Sequence, residues 1–334
     1  MTKLRVAVLS FAHGHALSYA RILQRDPSVD LIATDPDGSG PDRGRGAADE
    51  LGVAYVDSYD DAFAWGPDAV VVTTENSGHL ALVERAVQAG IHVLCEKPLA
   101  TRLEDGTRMV AAAADAGVRF MTAYPVRFAA AFAELRRRVA DGELGRVLAV
   151  HGANNGKMPG GDSWFTDPEL AGGGSLVDHV VHCADLFDAL LGVEPTTVRA
   201  VANDILHPEI DGRVETGGIV TLQYPGGVIG TIDCSWSWPD ASPTWGGLQL
   251  EVIGTRGSVR VDPFAQHLGG FEATGPLWIG TGDDLDEAMI AEFLDAVASG
   301  RTPQPDGGAG LRTLRIVDAA QRSARAGGAP VAPA

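Results

Sequence analysis

A chain of 334 residues, 45% hydrophobic and 21% charged, has the length of two ordinary domains and enough apolar content for a core in each. Its net charge of −18, with no basic stripe or nucleic-acid motif to offset it, argues against nucleic acid as a partner. No apolar run approaches the roughly 20 residues of a membrane span, and the first ten residues lack the apolar core and cleavage site of a signal peptide, so a cytoplasmic protein is expected.

Residues 4–9 read as a strand, and Leu17, Ala20, Ile22 and Leu23 give 16–24 the spacing of a helix. The alternation repeats: strand 29–34, helix 45–51, strand 53–56, helix 59–65, strand 69–73, helix 78–89 and strand 91–95. Runs apolar at every residue, such as 69–72, mark parallel strands covered on both faces, and repeated βα units predict a doubly wound α/β sheet. After about residue 145 the pattern changes. A helix at 174–191 opens on Gly172-Gly173-Gly174. Pro225-Gly226-Gly227 then turns 213–224 into 228–236, and Thr255-Arg256-Gly257 turns 247–254 into 258–262. These signals predict an antiparallel sheet with at least one helix. Two helices, 283–299 and 307–326, close the chain, and the Ala/Gly/Pro-rich end from 327 is expected to fray. Cys95, Cys183 and Cys234 are odd in number, far apart and set in apolar segments, which fits buried thiols better than disulfides or a zinc knuckle.

The loop after the first strand, Ser10-Phe11-Ala12-His13-Gly14-His15, stands where a nucleotide-binding sheet puts its phosphate loop. A dinucleotide fingerprint has glycine at the first, third and sixth positions; here they are Ser10, Ala12 and His15. The physical requirement is looser than the pattern. Small residues at the first two places still let the backbone approach an anion, Gly14 gives flexibility, and a helix N-terminus offers N–H groups to which Ser10, His13 and His15 add donors. On this stretch alone a phosphate loop and an ordinary loop stay equally open. The second strand ends in Asp35, 25 residues after Ser10. An acid there accepts the ribose hydroxyls of NAD and repels the 2′-phosphate of NADP. A solvated loop acid is the alternative and Arg43 and Arg45 work against the preference, so NAD is expected ahead of NADP.

Of 26 basic residues only Lys3, Lys97 and Lys157 are lysine. Where only positive charge is needed this chain uses arginine, which singles out Lys97 in Cys95-Glu96-Lys97-Pro98-Leu99-Ala100, at the carboxyl edge where open α/β sheets place ligands. Lys157, after Asn154-Asn155-Gly156, is a weaker candidate for substrate contact, with a plain loop lysine as the alternative. Asp178 and His182 lie four apart on one helix face, where a carboxylate orients an imidazole and raises its basicity, as suits a general base; a structural pair is the competing reading. Asp178, His182 and Asp185 also have the spacing of divalent-metal ligands, but no fourth ligand of matching spacing is evident and no metal is expected. Trp164, Phe165, Trp236 and Trp238 are either sugar-stacking or core residues.

With these residues in hand, the sequence resembles the Gfo/Idh/MocA family, the relatives of glucose-fructose oxidoreductase and inositol dehydrogenase. Glu96-Lys97-Pro98-Leu99-Ala100, Gly172-Gly173-Gly174-Ser175-Leu176-Val177-Asp178 with His182, and Asn76-Ser77 with His79 carry the likeness, supported by Arg127-Phe128 and the closing helix. The family normally keeps more glycine in the phosphate loop, and Glu75 stands where its pattern has proline. The resemblance implies an NAD-binding Rossmann domain over 1–124 and an α+β domain with an open antiparallel sheet over 125–334, for substrate and oligomerisation, with the closing helices free to pack on the first. It also implies hydride transfer between a nicotinamide and a small polyhydroxy substrate, catalysed by Lys97, Asp178 and His182, in a homodimer or homotetramer. Cofactor contacts are expected from Ser10, Phe11, Ala12, His13, Gly14, His15, Asp35, Thr73, Thr74, Asn76, His79, Glu96 and Lys97. Substrate contacts are expected from Lys97, Arg127, Asn155, Lys157, Trp164, Asp178, His179 and His182. A non-catalytic sugar or nucleotide sensor, its phosphate loop lost, is the alternative; it would bind sugar without binding nicotinamide.

Overall fold

The computed structural model describes residues 3–38, 40, 42–159 and 163–334. The chain forms two compact units, Met1–Pro125 with Leu285–Leu311, and Val126–Asp284 with Arg312–Ala334.

In the first unit, β1 (Leu4–Leu9), α1 (His15–Arg25), β2 (Val29–Thr34), α2 (Gly44–Leu51), β3 (Ala54–Tyr55), α3 (Tyr59–Ala64), β4 (Ala69–Val72), α4 (His79–Gln88), β5 (His92–Cys95), α5 (Leu103–Ala116) and β6 (Phe120–Thr122) follow one another. The six strands pair in parallel in the order β3-β2-β1-β4-β5-β6. Val6 to Leu9 and Ala69 to Val72 have no exposed surface, as strands covered on both faces require. Strand order reverses between β1 and β4, and at that switch point the carboxyl ends open a crevice. Ser10, Asp35, Thr73 and Glu96 are the residues that follow β1, β2, β4 and β5.

The second unit holds α6 (Ala130–Ala140), β7 (Val147–Gly156), α7 (Pro168–Ala171), α8 (Ser175–Leu191), β8 (Thr197–Asn203), β9 (Gly217–Gln223), β10 (Ile229–Ser235), β11 (Gly246–Gly254), β12 (Gly257–Val261) and the hairpin β13 (His267–Glu272) and β14 (Gly275–Gly280). Its main sheet runs β12-β11-β7-β10-β9-β8, antiparallel except for the β7–β10 pair. Helix α8 covers one face so closely that a Cβ at Gly152 would stand 2.7 Å from Cys183 Sγ. On the other face Val201, Ile219 and Ile229 are exposed, so this sheet is open. The cysteines are free and buried, and burial pushes the Cys183 thiol up to about 12.

Two helices end the chain, α9 (Leu285–Ser299) and α10 (Gly307–Arg325). α9 belongs to the first unit, where Ser18 Oγ donates to Asp286 Oδ2 at 2.7 Å. The expected fraying from 327 is corrected. Val331 exchanges two backbone hydrogen bonds with Val198 of β8, at 2.8 and 2.9 Å, and Ser323 Oγ donates to Ala329 O at 2.6 Å. The tail ends in an isolated antiparallel bridge to β8, and these bonds hold it against the sheet. No helix among the described residues is long and apolar enough to cross a membrane.

Candidate functional site

Ser10 has φ +81°, the left-handed region that glycine adopts freely and that costs other residues roughly 1–2 kcal/mol. The first fingerprint glycine has been lost in residue type while its backbone conformation is retained. Four hydrogen bonds hold it there: Ser10 N–H donates to Thr34 O (2.6 Å), its Oγ donates to Asp35 Oδ1 (2.8 Å) and accepts from Ala12 N–H (3.0 Å), and its carbonyl accepts from Thr73 Oγ1 (2.7 Å). His13 N–H donates to Thr73 O at 3.0 Å. Among the described residues the N–H groups of Phe11 and Gly14 carry no hydrogen bond. The first turn of α1 has no acid, and a Cβ at Gly14 would meet nothing within 4 Å. Unused donors at a helix start are what a pyrophosphate requires.

Asp35 sits differently from the open ribose acceptor expected of it. Its side chain has no exposed surface, and besides Ser10 it takes Arg43 Nε (2.7 Å), Arg43 Nη2 (2.9 Å) and Gly44 N–H (2.9 Å). Burial pushes this carboxyl up, but Arg43, Gly44 and Ser10 outweigh it and hold it below the ordinary value. Gly38 allows that closeness, since a Cβ there would lie 1.9 Å from Asp35 Oδ2. The exposed part of this edge is Arg43, whose Nη1 lies 3.7 Å from Glu75 Oε1.

At the end of β5 the Glu96 carboxylate is wholly buried. Its Oε1 receives the Tyr19 hydroxyl at 2.6 Å and lies 3.0 Å from His15 Nδ1; its Oε2 receives Lys97 N–H at 2.9 Å and lies 3.9 Å from His13 Nε2. Burial alone would raise its pKa; His13, His15 and Lys97 outweigh that and hold it well below the carboxylate range. His13, His15 and Glu96 bring three donor atoms within 4.8 Å of one another, a spacing that also suits a metal centre. His15 N–H, however, donates to His13 Nδ1 at 3.3 Å, which puts the His13 ring proton on Nε2, toward Glu96. That leaves no lone pair of the ring for a cation, and the hydrogen bonds on Glu96 come from Tyr19, His15 and Lys97 N–H. His79 is fully buried, with Nδ1 3.2 Å from Leu99 O and Nε2 3.3 Å from Thr74 O. Both nitrogens face the backbone, and the ring ties the 96–100 turn to the start of α4. Thr74 and Asn76 are buried beside it in the chain, and Lys97 is 4% exposed.

In the second unit α8 carries Asp178, His179 and His182. Asp178 Oδ2 accepts from Trp236 Nε1 at 3.2 Å and lies 3.2 Å from His179 Nε2. His182 follows one turn on, half-buried. The glycines before α8 are needed for packing: a Cβ at Gly174 would stand 2.0 Å from Glu215 O. Glu215 Oε1 in turn caps the helix, accepting from Gly174 N–H (3.0 Å) and Leu176 N–H (3.1 Å). Burial raises the Glu215 pKa despite these donors.

Three expected substrate contacts have hydrogen-bond partners within the chain. Strand alternation turns Asn154 toward α8, where its Nδ2 donates to His179 O at 3.2 Å, and puts Asn155 on the opposite face, where its Oδ1 accepts from Ser235 Oγ at 2.7 Å. Lys157 Nζ donates to Asp240 O at 2.8 Å, in keeping with a loop lysine. Arg127 Nε reaches both oxygens of buried Asp185, at 2.7 and 2.8 Å, and its Nη2 lies 3.3 Å from Asp188 Oδ2, so it is a structural ion pair. The same pair withdraws Asp185 from any metal set. Burial pushes the Asp185 carboxyl up to about 6, with Arg127 opposing. Trp164 stacks on Phe165 with ring centroids 3.9 Å apart. Sequence reasoning missed Tyr19 as the partner of Glu96 and took Trp236 as a pocket or core residue, without its bond to Asp178. It also missed Glu215, whose bonds to Gly174 and Leu176 span 41 and 39 residues and leave no mark in the local sequence.

Residues 21–124 match the family model described as an oxidoreductase family with an NAD-binding Rossmann fold, and residues 132–260 match the GFO/IDH/MocA C-terminal domain. The D-xylose 1-dehydrogenase (NADP(+)) 2 of Haloferax volcanii is 32% identical over 301 residues, 86% of this chain and 88% of its own. The 1,5-anhydro-D-fructose reductase of Ensifer adhaerens is 34% identical over 223 residues, 65% of this chain; the match spans only 64% of the reductase. In structure, GenD2 from gentamicin A biosynthesis, crystallised in complex with NAD, superposes with a TM-score of 0.87 at 28% identity, covering 99% of this chain and 97% of that one.

Proposed function

Since the chain belongs to the Gfo/Idh/MocA oxidoreductase family, with its NAD-binding Rossmann domain at the N-terminus, we propose that it is an NAD-dependent dehydrogenase or reductase. It moves hydride between the nicotinamide and a hydroxyl or keto carbon of a sugar, polyol or related small molecule. The observation that carries the reading is the loop after β1, where the glycine-type conformation of Ser10 and the free N–H groups of Phe11 and Gly14 suit a pyrophosphate. NAD held there supplies the hydride acceptor.

In the oxidising direction His182 takes the proton of the substrate hydroxyl as the C–H bond on the same carbon gives up its hydride, and it returns that proton in the reverse direction. Asp178, held by Trp236 and His179, keeps the imidazole pair oriented. Lys97 donates to the substrate oxygen and stabilises its developing negative charge. The substrate is a small polyhydroxy compound, as the names of the relatives suggest, and Trp164 offers it an aromatic face. Assembly as a homodimer or homotetramer through the open sheet face would cover Val201, Ile219 and Ile229; three free buried thiols suit a reducing cytoplasm.

The test is to incubate purified protein with NAD⁺ and a panel of aldoses, polyols and their keto forms, following nicotinamide absorbance. Turnover with at least one member, lost in His182→Ala, is expected. Sugar binding without nicotinamide binding or turnover would overturn the reading in favour of a sensor.

A further inference from the structure

We propose that His15, seated on Glu96 at the first position of α1, is a cationic ligand for the cofactor pyrophosphate and makes cofactor affinity fall as pH rises. The proposal needs only the Rossmann domain, and stands or falls apart from the choice of sugar or polyol.

The geometry has three parts. His15 occupies the sixth fingerprint position, where glycine would bring no side chain. Its ring is 39% exposed, its Nδ1 edge lies on Glu96 Oε1 at 3.0 Å, and among the described residues its Nε2 edge has no hydrogen-bond partner. The ring also sits at the positive end of the α1 dipole, in a first turn without an acid. That end of the dipole disfavours a cation, which Glu96 offsets on the Nδ1 side and an anion before the free N–H groups would offset on the Nε2 side. The N–H groups of Phe11 and Gly14 supply the rest of such an anion site, so loop and imidazole point to the same kind of ligand.

Every charged neighbour can be named. Glu96 follows β5 and favours the protonated ring, as does Asp286 at the start of α9; Lys97, next to Glu96, opposes it. Tyr19, one turn along α1, has its hydroxyl 3.4 Å from His15 Nδ1, and burial with Glu96 beside it keeps that hydroxyl protonated. His13 lies beside the ring with centroids 4.4 Å apart. Burial lowers the His15 pKa, but Glu96 outweighs it and the net direction is upward. The imidazolium is therefore present on the acid side, and its contribution to anion binding is lost as pH rises through its raised pKa.

ADP-ribose is the probe, because its two phosphates keep their charge across the neutral range and it carries no nicotinamide. Calorimetric titration of the cofactor-stripped full chain should show affinity falling roughly tenfold between about pH 6 and about pH 9, the value of one charge-assisted hydrogen bond. His15→Gln should bind roughly tenfold more weakly than wild type at the acid end, converge with it at the alkaline end and show no slope. His13→Gln should keep the slope. A flat wild-type profile, or a slope that survives in His15→Gln or disappears only in His13→Gln, overturns the proposal. Circular dichroism melting of each variant separates lost binding from lost fold.

Discussion

The loop after β1 and the start of α8 depart from expectation in opposite ways. At the loop the residue types fail the glycine pattern, yet Ser10 holds the left-handed backbone that the pattern exists to provide. At α8 the residue types satisfy the Gly-Gly-Gly…Asp…His pattern, yet Asp178 also meets Trp236 and His179, neither of which belongs to the pattern. A motif records one solution to a physical requirement. The requirement can outlive the motif, and the motif can be present while its surroundings decide what it does.

The largest expected effect breaks the comparison at its chemical side. His182→Ala and Lys97→Ala should each lower turnover by about 10²–10⁴-fold with NADH affinity nearly intact; unchanged turnover in both would remove the assigned roles. Next, Gly174→Ala drives a Cβ into Glu215 O and should cost about 1–3 kcal/mol in urea unfolding; an unchanged midpoint would mean that α8 starts elsewhere in solution. Trp236→Phe keeps most of the buried ring and removes the Nε1–H bond to Asp178. It should reduce turnover roughly tenfold and displace the pH profile of kcat, whereas a change confined to melting temperature would make Trp236 only a packing residue. Glu75→Gln sharpens the cofactor edge, since it leaves Arg43 facing one carboxylate instead of two. NADPH affinity relative to NADH should rise a few fold, of order 1 kcal/mol or less for a partly exposed pair; an unaltered ratio would take Glu75 out of cofactor selection. Two opposing changes meet at Ser10. Ser10→Gly relieves roughly 1–2 kcal/mol of backbone cost but gives up a buried bond to the Asp35 carboxylate worth about 1.5–3 kcal/mol and the bond from Ala12 N–H worth about 1 kcal/mol, so a net loss of about 1 kcal/mol is expected, and a gain in stability would contradict the balance.

Much of the first unit was legible because its strands are buried on both faces and stand out as continuous apolar runs. From α5 through β7 the signal fades for physical reasons. α5 buries Gly106, Met109 and Ala113, and a face made of small residues gives little contrast. β7 sets Val150, Gly152 and Asn154 toward α8, so only one of three inward positions there is a large hydrophobe. Site residues were legible where they follow a strand or share a helix face. Tyr19 and Glu96 are 77 residues apart, and Trp236 and Asp178 are 58 apart; only the folded chain brings such pairs together. The partners of Arg127 and Asn155 within the chain, Asp185 and Ser235, were not legible because a polar residue near a motif does not reveal which side of its element it occupies.

The central claim is that a loop without the glycine fingerprint remains a working NAD site. The most direct measurement is a calorimetric titration of cofactor-stripped protein with NADH and, separately, with NADPH. Saturable NADH binding at one site per chain, tighter than NADPH, is the predicted result. Binding of neither would contradict the account, since the Ser10 conformation and the free N–H groups beside it would then serve no phosphate.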